Sequence, residues 1–76
     1  MTKAKRIERL LEGAGVPKDE AEAISLSATR EYATGWPDAC HLMVTEFVAG
    51  SLGLVDDYDR RAIDLADKVM NILEEK

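Results

Sequence analysis

A chain of 76 residues, 46% hydrophobic and 33% charged, predicts one small globular domain rather than a disordered segment. A single cysteine, Cys40, excludes an internal disulfide, and the formal net charge of −5 disfavours binding to nucleic-acid phosphates. The basic N-terminal segment lacks the apolar run of a secretory signal, and the longest central uncharged run, 47–55, is too short to span a membrane. We therefore expect a cytoplasmic protein without membrane contact.

The first predicted helix follows Thr2, which is suited to cap it. Its apolar residues recur at helical spacing and form one stripe, made of Ala4, Ile7, Leu10, Leu11 and Ala14. Gly13 and Gly15 then predict the end of the helix.

The second predicted helix covers about residues 17–33, with Pro17 near its first position and acidic residues in its first turn. Its core face is made mostly of small residues and consists of Ala21, Ile24, Ala28 and Tyr32. Small residues allow helix axes to approach closely, so we expect a tight contact with a neighbouring helix.

The third predicted helix begins at Pro37 and belongs to a segment, Trp36 to Val55, in which only Asp38 and Glu46 are charged. One broad apolar face contains Cys40, Met43, Val44, Phe47 and Val48. We expect Phe47 to be buried, so that its truncation to alanine would cost about 3–5 kcal/mol of stability. A helix that is apolar on most sides must be covered on most sides, which predicts a central position.

The fourth predicted helix starts at an acidic cluster, Asp56, Asp57 and Asp59, which supplies a cap. Its apolar stripe consists of Tyr58, Ala62, Leu65, Ala66, Val69, Ile72 and Leu73, and Ile63 and Met70 widen it. No segment alternates with the period of a strand. The sequence thus predicts an all-α domain over residues 1–76, a compact bundle of about four short helices with the third helix central.

Residues 10–24 resemble the helix-turn-helix arrangement of small bacterial and phage regulators, with a glycine turn followed by Val16 and with Ala21 and Ile24 facing back. The resemblance implies a DNA-binding regulator. The second helix would, however, present Asp19, Glu20 and Glu22 to the major groove, where phosphates repel carboxylates. A structural helical hairpin is therefore favoured. The alternative function, a small DNA-binding regulator, would use the basic first helix through Lys3, Lys5, Arg6 and Arg9.

The sequence contains no convincing catalytic or metal-binding pattern. Cys40 and His41 are neighbours, but adjacent helical residues point about 100° apart, so we interpret Cys40 as a structural residue. The acidic cluster at 56–59 lacks the spacing of a calcium loop, and one His with one Cys makes no zinc set. We expect no enzyme activity, no cofactor and no metal.

The scarce aromatic residues are expected first in the domain's own core. The third and fourth helices nevertheless carry more apolar residues than one small domain needs, which predicts contacts with a partner. The candidate contact residues are Trp36, Met43, Phe47, Ile63 and Met70. We expect a small acidic interaction module: a homodimer, or a regulator or inhibitor of a larger complex, of the phage or mobile-element accessory type.

Overall fold

The computed structural model describes all 76 residues and contains four helices and no strand. The helices are α1 (Lys3–Gly13), α2 (Lys18–Ala33), α3 (Pro37–Ser51) and α4 (Arg60–Glu74). The all-α prediction is confirmed. None of the helices combines the length and the hydrophobicity needed to cross a bilayer.

The helices pack in a ring that follows the chain order. α1 packs on α2, α2 on α3, α3 on α4, and α4 closes the ring on α1. α3 contacts α2 and α4, as predicted for the third helix, and each of the other helices also has two neighbours in the ring. Sixteen buried apolar residues from all four helices and from the turn after α1 form one continuous core.

The two ends of α1 have the capping interactions that the sequence predicts. The Thr2 hydroxyl oxygen accepts a hydrogen bond from the Lys5 backbone N–H at 3.2 Å and caps α1. At the other end of α1, Gly15 has a φ of 103°, a left-handed conformation that favours glycine. The next residue, Val16, donates its N–H to the Leu11 carbonyl at 3.0 Å and is buried. A glycine followed by a buried apolar residue is a common C-terminal capping arrangement of helices.

Two helix starts differ slightly from the predicted positions. Pro17 precedes α2 as its N-cap residue and is not in the helix, and α4 begins only at Arg60. The Asp59 carboxylate caps α4 by accepting a hydrogen bond from the Arg61 backbone N–H at 3.0 Å. Tyr58 therefore lies before the helix and does not belong to its apolar stripe.

The prediction that the aromatic residues fill the core is wrong for three of the four. Trp36 is 66% exposed, Phe47 51% and Tyr58 54%, whereas Tyr32 is half-buried. The core is built instead from aliphatic and small side chains, and Ile7, Leu11, Val44, Val48 and Val69 are its largest fully buried members. Phe47 belongs to the predicted apolar face of α3, but neighbouring helices cover only about half of it.

Candidate partner-binding surface

The outer face of α3 consists of Ala39, Leu42, Met43, Glu46, Phe47 and Gly50, which recur three and four residues apart. The side of the helix that is directed to the core carries the buried residues Cys40, Val44 and Val48. Leu42 is 46% exposed, Phe47 is 51% exposed and Met43 is half-buried. Glu46 is the only charged residue on this face, so the folded chain presents apolar surface to its surroundings here.

A groove of about 440 Å³ runs beside this face, between α2 and α3. Eight residues line it, four from each helix: Glu20, Ala23, Ile24, Ser27, Glu46, Phe47, Gly50 and Ser51. Its lining surface is mainly apolar, and the charged groups are the carboxylates of Glu20 and Glu46. The groove exists because α2 presents small side chains, Ala23 and Ser27, opposite the larger Phe47.

Both groove carboxylates are held by neutral hydroxyl groups. The Ser51 hydroxyl donates to Glu20 Oε1 at 3.0 Å, and the Tyr58 hydroxyl donates to Glu46 Oε1 at 3.2 Å. The hydrogen bond to Glu46, reinforced by its negative charge, raises the pKa of Tyr58 above its ordinary value. Neither carboxylate forms an ion pair with a Lys, Arg or His of the chain. The groove therefore carries two oriented and uncompensated negative charges.

The predicted contact residues are distributed over several parts of the molecule. Met43 and Phe47 lie together on the outer face of α3, and Trp36 is exposed in the connection before that helix. Ile63 is half-buried on α4, whereas Met70 is only 7% exposed and belongs to the core. The sequence did not single out the groove, because it depends on how α2 lies across α3. The short side chains of Ala23 and Ser27 were the only available signal.

A second, polar cleft of about 460 Å³ lies between the start of α3 and the end of α4. Across it, His41 Nε2 and Asp67 Oδ1 are 2.8 Å apart. Asp38 and Glu74 also line the cleft, so it is surrounded by acidic groups. This contact joins α3 to α4, and no hydroxyl or thiol nucleophile lines the cleft.

Three of the four basic residues of α1 make contacts within the chain. Arg6 forms a two-pronged ion pair with the Glu75 carboxylate at 2.7 and 2.9 Å, which raises the pKa of Arg6. Lys3 donates to the Leu73 carbonyl at 3.1 Å and also to the Glu75 carbonyl. Lys5 pairs with Glu8 at 3.3 Å, whereas Lys3 contacts only backbone carbonyl groups and Arg9 has no ion-pair partner. The basic side of α1 thus ties the helix to the end of α4.

Cys40 is fully buried, as expected for a structural cysteine. Its thiol donates to the Ala28 carbonyl of α2 at 3.4 Å. Burial, and to a lesser extent the charge of Glu31, raises the pKa of this thiol. The neighbouring His41 ring is directed to Asp67 instead. The structure thus gives Cys40 the environment of a packing residue rather than of a nucleophile.

No buried side-chain nitrogen or oxygen lacks a hydrogen-bond partner, and no group of three or more His, Cys, Asp or Glu side chains could hold a metal ion. Comparison with known proteins found no matching family model, no significantly similar curated protein and no significantly similar solved structure.

Proposed function

We propose that this chain is a small acidic interaction module that binds a larger protein through the outer face of α3. The observation that carries the proposal is the half-exposed Phe47, which lies with Leu42 and Met43 on a face with a single charge. Aromatic residues and methionine are enriched at the centres of protein interfaces. In this role the chain acts as a regulator or inhibitor of a larger complex, of the phage or mobile-element accessory type.

The charge of the molecule favours a different protein as the partner over a second copy. Two copies joined through this face would each bring a Glu46 carboxylate into the interface, and each chain has a net charge of −5. Like charges at an interface are unfavourable. The homodimer predicted from the sequence remains the second candidate, because the same apolar face would be buried in it.

The DNA-binding alternative has less support. Lys3, Lys5 and Arg6 are already engaged in hydrogen bonds or ion pairs within the chain, and Arg9 is the basic residue of α1 that has neither. Specific DNA binding normally requires several free cations that neutralise phosphates. These contacts give Lys3, Lys5 and Arg6 a structural role, so a DNA-binding role is not needed to explain them.

Site-specific cross-linking tests the proposed function. A photoreactive amino acid at position 47 should cross-link one defined protein in a native lysate, and the same group at Leu26 should not. Leu26 is a matched control because it is 52% exposed but lies on α2. The captured protein is then purified, and its affinity is measured for the wild type, for Phe47→Ala and for Leu26→Ala. Equal affinity for all three would reject the outer face of α3 as the interface.

Sedimentation equilibrium at micromolar concentrations distinguishes the two candidate partners. A monomer supports a different protein as the partner. A dimer that Phe47→Ala converts to monomer, whereas Leu26→Ala does not, would establish the second copy as the partner.

A further inference from the structure

We infer that the groove between α2 and α3 receives an arginine or lysine side chain from an amphipathic helix of the partner. The inference rests on the proposed function and adds to it the chemistry of the partner. In this arrangement the apolar side of the partner's helix covers Phe47 on the outer face of α3. The basic side chain enters the groove between Glu20 and Glu46.

The shape of the groove suits such an occupant. Its volume of about 440 Å³ lies within the range of ligand-binding clefts, roughly 300–1,000 Å³. Gly50 has no side chain, and a Cβ atom built on it would meet no atom within 4 Å, so the groove is open at this point. Small residues at a helix surface allow another helix to approach closely. A long flexible side chain can then extend along the groove beside Ala23 and Ser27.

The charges of the groove favour a cation. Glu20 and Glu46 are its only charged lining residues, and neither is compensated by a basic residue of this chain. The hydroxyl groups of Ser51 and Tyr58 hold the two carboxylates in defined positions. Each carboxylate retains lone pairs that can accept hydrogen bonds from a guanidinium or ammonium group. Charge complementarity therefore favours a basic side chain as the occupant of the groove and disfavours a second copy of this acidic chain.

Phe47 adds an aromatic contact beside the carboxylates. Its half-exposed side chain lines the groove as well as the outer face of α3. A cation near an aromatic face is attracted by the ring, and arginine also packs its planar group against such rings. One residue thus serves both the apolar and the charged parts of the contact.

A pair of designed peptides tests the inference on the whole chain. The first is a blocked helical peptide with leucines along one face and one arginine beside them, and the second has glutamine in place of the arginine. Binding is measured by calorimetry and located by amide chemical shifts. We expect the arginine peptide to bind about tenfold more tightly, with shifts concentrated at the groove residues.

Matched variants separate the inference from the proposed function. Glu20→Gln and Glu46→Gln should each remove most of the preference for arginine, whereas Asp19→Asn, an exposed acid of α2 outside the groove, should not. Phe47→Ala should weaken both peptides. If both peptides bind equally and depend on Phe47, the inference is overturned while the proposed function stands. Failure of both peptides to bind, or shifts located away from the groove, would also overturn the inference, and the cross-linking experiment would decide the proposed function independently.

Discussion

Phe47 and Val48 are consecutive residues of α3, yet 51% of Phe47 is exposed while Val48 is completely buried. Val48→Ala removes apolar volume from the core and should lower the free energy of unfolding by about 2 kcal/mol. Phe47→Ala should lower it by about 1 kcal/mol or less, because half of the ring contacts solvent in the folded state. Denaturant unfolding of both variants measures the difference. A larger loss for Phe47→Ala than for Val48→Ala would place Phe47 in the core.

The cap of α4 predicts a specific dependence of stability on pH. Hydrogen bonds from the side chain and backbone of Arg61 lower the pKa of Asp59 from 3.8 to about 2. Because the folded state lowers this pKa, the carboxylate stabilises the fold fully above pH ~4 and loses that contribution as the pH falls to ~2. Asp59→Asn should therefore melt at a lower temperature than the wild type at neutral pH, and the difference should disappear near pH 2. The control is Asp64→Asn, an exposed α4 acid outside the ion pairs, which should show no such trend.

Replacement of Lys3, Lys5, Arg6 and Arg9 by glutamine separates a structural role from a DNA-binding role. We expect a lower melting temperature, because the contacts with Glu75 and with the Leu73 carbonyl are lost. We expect no measurable binding of labelled duplex DNA by the wild type at physiological salt. Lys18→Gln with Arg30→Gln, two exposed cations of α2 without ion pairs, is the control and should leave the melting temperature nearly unchanged. Micromolar binding of DNA by the wild type, abolished in the quadruple variant, would revive the alternative function.

The burial of Cys40 predicts slow reaction with thiol reagents. The thiol is inaccessible and its pKa is raised, so a disulfide reagent reaches the thiolate only when the helices open. The rate in native buffer should be more than about 100-fold lower than in the unfolded chain. Measurements across a denaturant series should show the rate rising with the unfolded population. A rate in native buffer equal to that of the unfolded chain would contradict the buried position.

The ends of the helices could be predicted because the interactions that define them are local. Thr2 contacts a backbone N–H three residues away, and Asp59 contacts one two residues away. Pro37 at the start of α3 requires only its own ring to fix its backbone angle. The predicted starts of α2 and α4 were too early, because Pro17 and each acidic residue of the cluster before Arg60 are typical of a helix start.

The candidate site could be predicted only in part, because it depends on packing between helices. On an ideal helical wheel Phe47 lies within ~20° of the fully buried Cys40, so the sequence assigned both to one buried face. A wheel gives the direction of a side chain, but it does not show how well a neighbouring helix covers it. The Ala28 carbonyl of α2 contacts Cys40, whereas near Phe47 the same helix offers Ala23 and Ser27 and leaves a groove.

The ring order of the helices has a consequence for how the chain folds. Three of the four interfaces join helices that are consecutive in sequence, so most native contacts need only short loops to close. Chains with such low contact order fold quickly, typically within microseconds to milliseconds. The interface between α1 and α4 is the least extensive and spans nearly the whole chain, so its closure loses the most chain entropy. This interface is therefore the one expected to form last and to open first.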